Sequence, residues 1–282
     1  MSEYLLFRLK SSGQRNVVGG FLVAATVALG VVGPATALAD DDHGLKAVPF
    51  VFIGTAQQCG GPAGARIVTS AWLGGMGLPD NGGANFNATT PGDPPNKTDP
   101  HLGLLLNKNG ATPICSSAGA VITNVKGMTV TSDFHVGYDY RNGGHCGAGA
   151  PRFNIDTNMG FFFVGCANAP QSPAPQDPVQ WTRTSSVLTA CGSECFNATL
   201  GVPGSVPFGA TINSINIIFD EGTDTANNDT QGVGLAVLDN IDINGKIIRQ
   251  GTGIADGINR DKNDGRKDKD GDDDKDSRTK DN

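Results

Sequence analysis

Beyond its N-terminal segment the chain is built from short runs in which apolar and polar residues alternate. The runs are broken by Gly, Pro, Asn and Asp. They occupy 48–53, 65–72, 102–107, 120–125, 128–140, 152–156, 161–165, 180–187, 210–220, 234–243 and 246–249. A period of two sends successive side chains to opposite faces of a strand, whereas an amphipathic helix repeats at i, i+3, i+4 and i+7. The second pattern is missing over any helical length outside the N-terminal segment. Many short strands separated by turn residues predict an all-β fold, a two-sheet sandwich of jelly-roll type, rather than βαβ units.

Two turns are legible. At 241–248 an alternating run meets Asn244-Gly245 and then resumes, and Asn-Gly tolerates the positive φ angles of a two-residue hairpin loop. Asn109-Gly110 follows the apolar stretch 104–106 in the same manner. A third connection, through 156–160, joins the runs at 152–156 and 161–165 as a hairpin. The stretch 81–99 is rich in Gly, Asn, Pro and Thr and reads as a long surface loop within about 77–100. The Pro-rich stretch 170–178 reads as an extended connector.

The N-terminal segment has its own logic. Arg8, Lys10 and Arg15 precede an uncharged apolar run at 17–32, and Ala37-Leu38-Ala39 offers small residues at the positions a signal peptidase reads. This order predicts a secretory signal over 1–39, cut before Asp40. The apolar run falls short of the roughly 20 residues of a membrane span. The expected organisation is thus a signal at 1–39, a sandwich at 40–260 and an Asp/Lys-rich tail at 261–282, which has no apolar residue and is expected to be disordered. The expected location is secreted, with no membrane attachment once the signal is gone.

The six cysteines, Cys59, Cys115, Cys146, Cys166, Cys191 and Cys195, all follow the predicted cut. An even number in an exported chain predicts disulfides. Six cysteines allow fifteen connectivities, among which the sequence alone does not choose; proximity ranks Cys191 with Cys195 and Cys146 with Cys166 first, which would leave Cys59 for Cys115. A thiolate metal site usually needs CxxC pairs, which the sequence lacks.

Composition narrows the partners. Gly 40 and Pro 16 among 282 residues, without a repeat, exclude collagen-like structure. The formal charge of -7 becomes more negative once the basic leader is removed, so no electrostatic attraction to nucleic acid or anionic lipid is expected.

Catalytic motifs are sparse. There is no G-x-S-x-G elbow and no H-E-x-x-H helix. His145 adjoins Cys146, but neighbours on a strand face opposite ways, and an oxidised Cys146 is no nucleophile. Asp220, Glu221 and Asp224 form the densest acidic group at the end of a strand. They suit a structural calcium, which takes several oxygen ligands, or paired-carboxylate chemistry of a hydrolase or lyase on polysaccharide, or a solvated loop. Asp239 and Asn240 interrupt an apolar run. Period two requires one of them to face inward or to sit at a sheet edge, and a buried Asp239 needs a partner: a cation shared with Asp220 or Asp224, a backbone group or an arginine. The tail fails the EF-hand frame, because Arg260 and Arg266 stand where Asp is required. Ring faces stack on sugars, which makes Trp72, Tyr138, Tyr140 and Trp181 candidate ligand contacts, with core packing as the alternative. Phe161-Phe162-Phe163 must turn at least one ring outward. Asn87, Asn96, Asn197 and Asn228 head glycosylation sequons.

The segments 211–224 and 238–245, the latter reading Leu-Asp-Asn-Ile-Asp-Ile-Asn-Gly, resemble the closing strands of galactose-binding-like jelly rolls. The resemblance implies a carbohydrate-binding type of sandwich, sometimes with a structural calcium. The stretch 142–154, Asn-Gly-Gly-His-Cys-Gly-Ala-Gly-Ala-Pro-Arg-Phe-Asn, is similar to a family of exported bacterial proteins. The expectation is a secreted, non-catalytic module for a glycan or cell-surface ligand. The alternatives are the hydrolase or lyase above and a structural component of the cell envelope or matrix.

Overall fold

The computed structural model describes residues 44–78, 101–224 and 233–256. The predicted signal, the loop from 79 to 100, the C-terminal tail and the sequons at Asn87, Asn96 and Asn228 lie outside them. The described residues form two antiparallel sheets. The first runs, in spatial order, β1 (Ala47–Ile53), β4 (Ser116–Ile122), β12 (Ile212–Phe219), β6 (Arg152–Thr157), β7 (Gly160–Gly165), β10 (Cys195–Asn197) and β11 (Val202–Pro203). The second runs β15 (Ile254–Asp256), β2 (Val68–Gly74), β3 (Leu102–Lys108), β13 (Leu235–Ile243), β5 (His135–Arg141), β9 (Trp181–Val187) and β8 (Gln171–Pro173), with β14 (Lys246–Ile248) beside β13. In both sheets a late strand sits between two early ones: β12 between β4 and β6, and β13 between β3 and β5. Successive strands that cross between two packed sheets in this order make a jelly roll.

Alternation explains the core. On β12, Ile215, Ile217 and Phe219 are fully buried, while Ser214, Asn216 and Ile218 face out. They pack with Leu104, Leu106, Phe134, Phe153, Ile155 and Phe162 between the sheets. Each such side chain contributes about 1.5–3 kcal/mol through removal from water. A second, smaller cluster covers the outer face of the eight-stranded sheet, where Trp181, Leu78 and Ala174 pack on Val237. β13 is therefore buried on both faces.

The register of β13 holds a β-bulge. Asp239 pairs with Asp139 and Asp242 pairs with Gly137, so β13 carries one more residue than β5 over this stretch. Asn240, at φ 44°, takes up the excess. Before the bulge Ala236 and Leu238 point into the main core; after it Ile241 and Ile243 do. The extra residue resets the parity of the strand. This corrects the reading that period two sends Asp239 or Asn240 inward or to an edge: both stay on the outer face.

Most predicted strands appear within a few residues of their expected bounds. The run 128–140 is the exception. Only Thr129, bridged to Thr211, and β5 from His135 are paired, because the chain turns at 131–134, where Thr131 hydrogen-bonds Asp133. Asn244-Gly245 is the predicted hairpin turn, with φ 53° and 81°. After Asn109-Gly110, by contrast, the chain crosses from β3 in one sheet to β4 in the other. The Pro-rich connector contributes the edge strand β8.

The three disulfides are Cys59–Cys115, Cys146–Cys166 and Cys191–Cys195. Cys59 ends a four-residue helix, α1 (Ala56–Cys59), started by a Thr55–Gln58 capping box. In the chain-entropy model the 56-residue separation of Cys59–Cys115 is worth about 4 kcal/mol and the shorter loops about 2–3 kcal/mol. Three closed pairs fit an oxidising environment. Among the described residues no helix is long and apolar enough to cross a membrane.

Candidate functional site

Burial takes three of the four expected rings out of reach of a ligand. Trp72 is buried beside β1, where its Nε1 donates to the Ala47 carbonyl at 2.8 Å. Tyr138 is buried in the main core, with its hydroxyl donating to the Pro151 carbonyl at 2.8 Å. Trp181 is fully buried in the second cluster. Only Tyr140 is half-exposed, and its hydroxyl meets Gln171. Periodicity puts Tyr138 and Tyr140 on one strand face, and for Trp181 the second cluster buries a face that a simple sandwich leaves open.

The acidic group is likewise engaged by protein donors. Asp220 receives a two-pronged bond from Arg152, at 2.6 and 2.8 Å. Glu221 lies 2.5 Å from Nε2 of His145, which is itself fully buried. A Cβ on Gly147 or Gly149 would collide with the Glu221 carboxylate, which accounts for the glycines on either side of Ala148. Asp224 accepts the Thr112 backbone N–H and hydroxyl, and these two bonds pull its pKa below the ordinary carboxylate value.

Behind this loop lies Lys108, fully buried, whose ammonium donates to the carbonyls of Thr112, Ile114 and Asp220 at 2.6–2.8 Å. Burial lowers its pKa, against the opposing pull of Asp220 and Asp224. A cation thus sits among carbonyl oxygens at the acidic loop, and it belongs to the chain. Asp239 is on the other sheet, so the four acids do not come together. Among the described residues no three His, Cys, Asp or Glu side chains gather into a metal-holding group.

The outer face of the seven-stranded sheet brings together residues that were not expected to share a site. Val48, Val121, Asn216, Asn154, Phe163, Phe196 and Pro203 are consecutive register partners and form one row across all seven strands. Phe163 and Phe196 are near-parallel, 7° apart, with centroids at 6.2 Å. Phe161 meets Phe163 edge-on at 5.1 Å. The Arg152 guanidinium lies 5.0 Å from the Phe163 centroid, and Asp220 neutralises it. Arg152 also donates through Nε to Asn154 Oδ1, which leaves the Asn154 amide N–H groups facing out. Phe196 is 39% exposed. The signal for Phe161 and Phe163 was present in the alternation of the Phe triplet; Phe196, on a three-residue strand, had none.

Asp239 lies at the outer face of the eight-stranded sheet, where its partners are backbone groups: Leu78 N at 2.7 Å and Asn240 N at 2.6 Å. Desolvation, with Asp139 nearby, raises its pKa to about 6 against the pull of these N–H groups and Arg249. Comparison with family models, with curated proteins and with solved structures gives no match.

Proposed function

We propose that this chain is an exported, non-catalytic binding module that holds a neutral glycan on the outer face of its seven-stranded sheet. The observation that carries this reading is the row in which Phe163 and Phe196 stand beside the amides of Asn154 and Asn216. Aromatic rings stack on the apolar faces of sugars, and planar amides bond their hydroxyls. The local charge of Arg152 is already paired with Asp220, which favours a neutral ligand over an acidic one. The sequence supports export through its predicted signal, and the three disulfides are consistent with it.

The test is retention of the disulfide-bonded chain on insoluble neutral polysaccharides. Retention should fall at least about tenfold, or roughly 1.4 kcal/mol, in Phe163→Ala/Phe196→Ala, with the melting temperature monitored to show that the fold persists. Absence of retention on every polysaccharide tried, or equal retention by the folded double variant, overturns the reading.

A further inference from the structure

The outer face of the eight-stranded sheet contains a cavity of about 330 Å³ that the glycan reading does not use. Its polar wall includes Asp239, Arg249, Gln176 and Gln250, and its apolar wall Leu78 and Leu102. Beneath it lies the bulge at Asn240, a non-glycine residue in the left-handed region of φ. Such strain persists where surrounding contacts over-determine it, and it concentrates at binding and catalytic sites.

The contacts here are specific. The Asn240 side-chain amide donates to Asp139 Oδ2 at 2.7 Å and to Gln176 Oε1 at 2.6 Å, while its oxygen accepts from Arg249 Nε at 2.9 Å. Asp139 is held in turn by Arg183, at 2.7 and 2.8 Å. Asn240 therefore fixes the inner end of both Arg249 and Gln176. What these leave for the cavity is the terminal nitrogens of Arg249, the amide N–H groups of Gln176 and the remaining lone pairs of Asp239. The wall thus offers donors of positive character beside one carboxylate acceptor.

We propose that this cavity binds a small organic acid that carries an ammonium or hydroxyl group next to its carboxylate. The ligand carboxylate lies against the Arg249 terminus and the Gln176 amide, in the geometry that makes a guanidinium selective for carboxylates. The ligand's donor lies on Asp239. The carbon skeleton rests on Leu78 and Leu102. α-Amino acids and sugar or hydroxy acids share this chemistry. They differ in the group presented to Asp239, which faces Asp139, Arg249 and, across the cavity, His101. An ammonium ligand requires Asp239 ionised and is lost as pH falls through about 6. A hydroxyl ligand bonds either protonation state and depends little on pH over the same range.

The experiment is calorimetric titration of the full disulfide-bonded chain with alanine, lactate and gluconate. Acetate serves as the carboxylate-only control and glucose as the hydroxyl-only control. At least one of the three acids should bind about tenfold or more tightly than either control and weaken at least about tenfold in Arg249→Gln. Gln176→Ala, which leaves every charge in place, should weaken the same ligand. Loss of binding between pH 7 and pH 5 identifies the ammonium class, and persistence identifies the hydroxy acids. Silence toward all three acids at millimolar concentration, binding no better than acetate, or undiminished binding in both folded variants overturns the proposal. It does not depend on the polysaccharide result, which concerns the other sheet.

Discussion

The side chain of Asn240 donates to Asp139 Oδ2 at 2.7 Å, from a backbone position at φ 44° that most residues avoid. Two opposing contributions meet at this residue. The left-handed backbone costs about 1–2 kcal/mol for a residue with a Cβ, and the buried hydrogen bonds of the side chain offset it. Asn240→Ala keeps the backbone cost and removes the bonds, and should destabilise by about 2–4 kcal/mol. Asn240→Gly removes both and should be milder by about 1 kcal/mol. Urea denaturation of the two variants checks the order. If the Gly variant is the less stable, the strain assigned to this bulge is wrong.

Stability should respond to the protonation of Asp239. Its folded pKa is about 6, against 3.8 for a free aspartate side chain. The folded chain thus keeps a proton over a range in which the unfolded chain has lost it. Ionisation of Asp239 therefore opposes folding in full above pH 6, and the penalty is relieved as pH falls toward 4. The relief is at most about 3 kcal/mol, from roughly two pKa units at 1.36 kcal/mol each. Chemical denaturation at pH 7 and pH 4.5 should show the native chain gaining stability relative to Asp239→Asn, whose side chain does not titrate. Parallel pH profiles for the two proteins would remove the assigned shift.

Lys108 makes a separate prediction. Its ammonium satisfies three partly buried carbonyls, and Lys108→Met keeps the length of the side chain while deleting every donor. The expected loss is about 3 kcal/mol, since stranded buried acceptors retain their desolvation cost. Because the group is buried, the loss should change little between low and high salt. Guanidinium chloride would mask the salt effect, so urea melts at two sodium chloride concentrations are the appropriate measurement. A loss that disappears at high salt would mean that Lys108 acts as a surface charge.

The parts of the fold legible in the sequence were those governed by local rules. Alternation on Ile215, Ile217 and Phe219 identified a sandwich strand, Asn244-Gly245 marked the hairpin between β13 and β14, and cysteine spacing ranked the three bridges ahead of the other pairings. Strands of two or three residues, such as β10, β11 and β15, are too short to show a period. The bulge at Asn240 defeated the parity argument because an inserted residue is visible only against its partner strand. For Trp181 the choice between ligand contact and packing stayed open for a related reason: alternation says which residues share a face, but not that residues such as Leu78 and Ala174 cover it. The acids at 220–224 were recognised as a group. Their partners Arg152, His145 and Thr112 come from distant segments that only the folded chain brings near.

The placement of β12 and β13 has a consequence for how the chain closes into its fold. Each lies between the two halves of its sheet, so until residues 212–243 emerge, the strands on either side lack one of their two neighbours. Everything synthesised earlier remains as unjoined halves, and closure waits for nearly the last of the described strands to arrive. Under the export proposed above, that delay keeps the two sheets open until almost all of the chain has passed through the translocation pore.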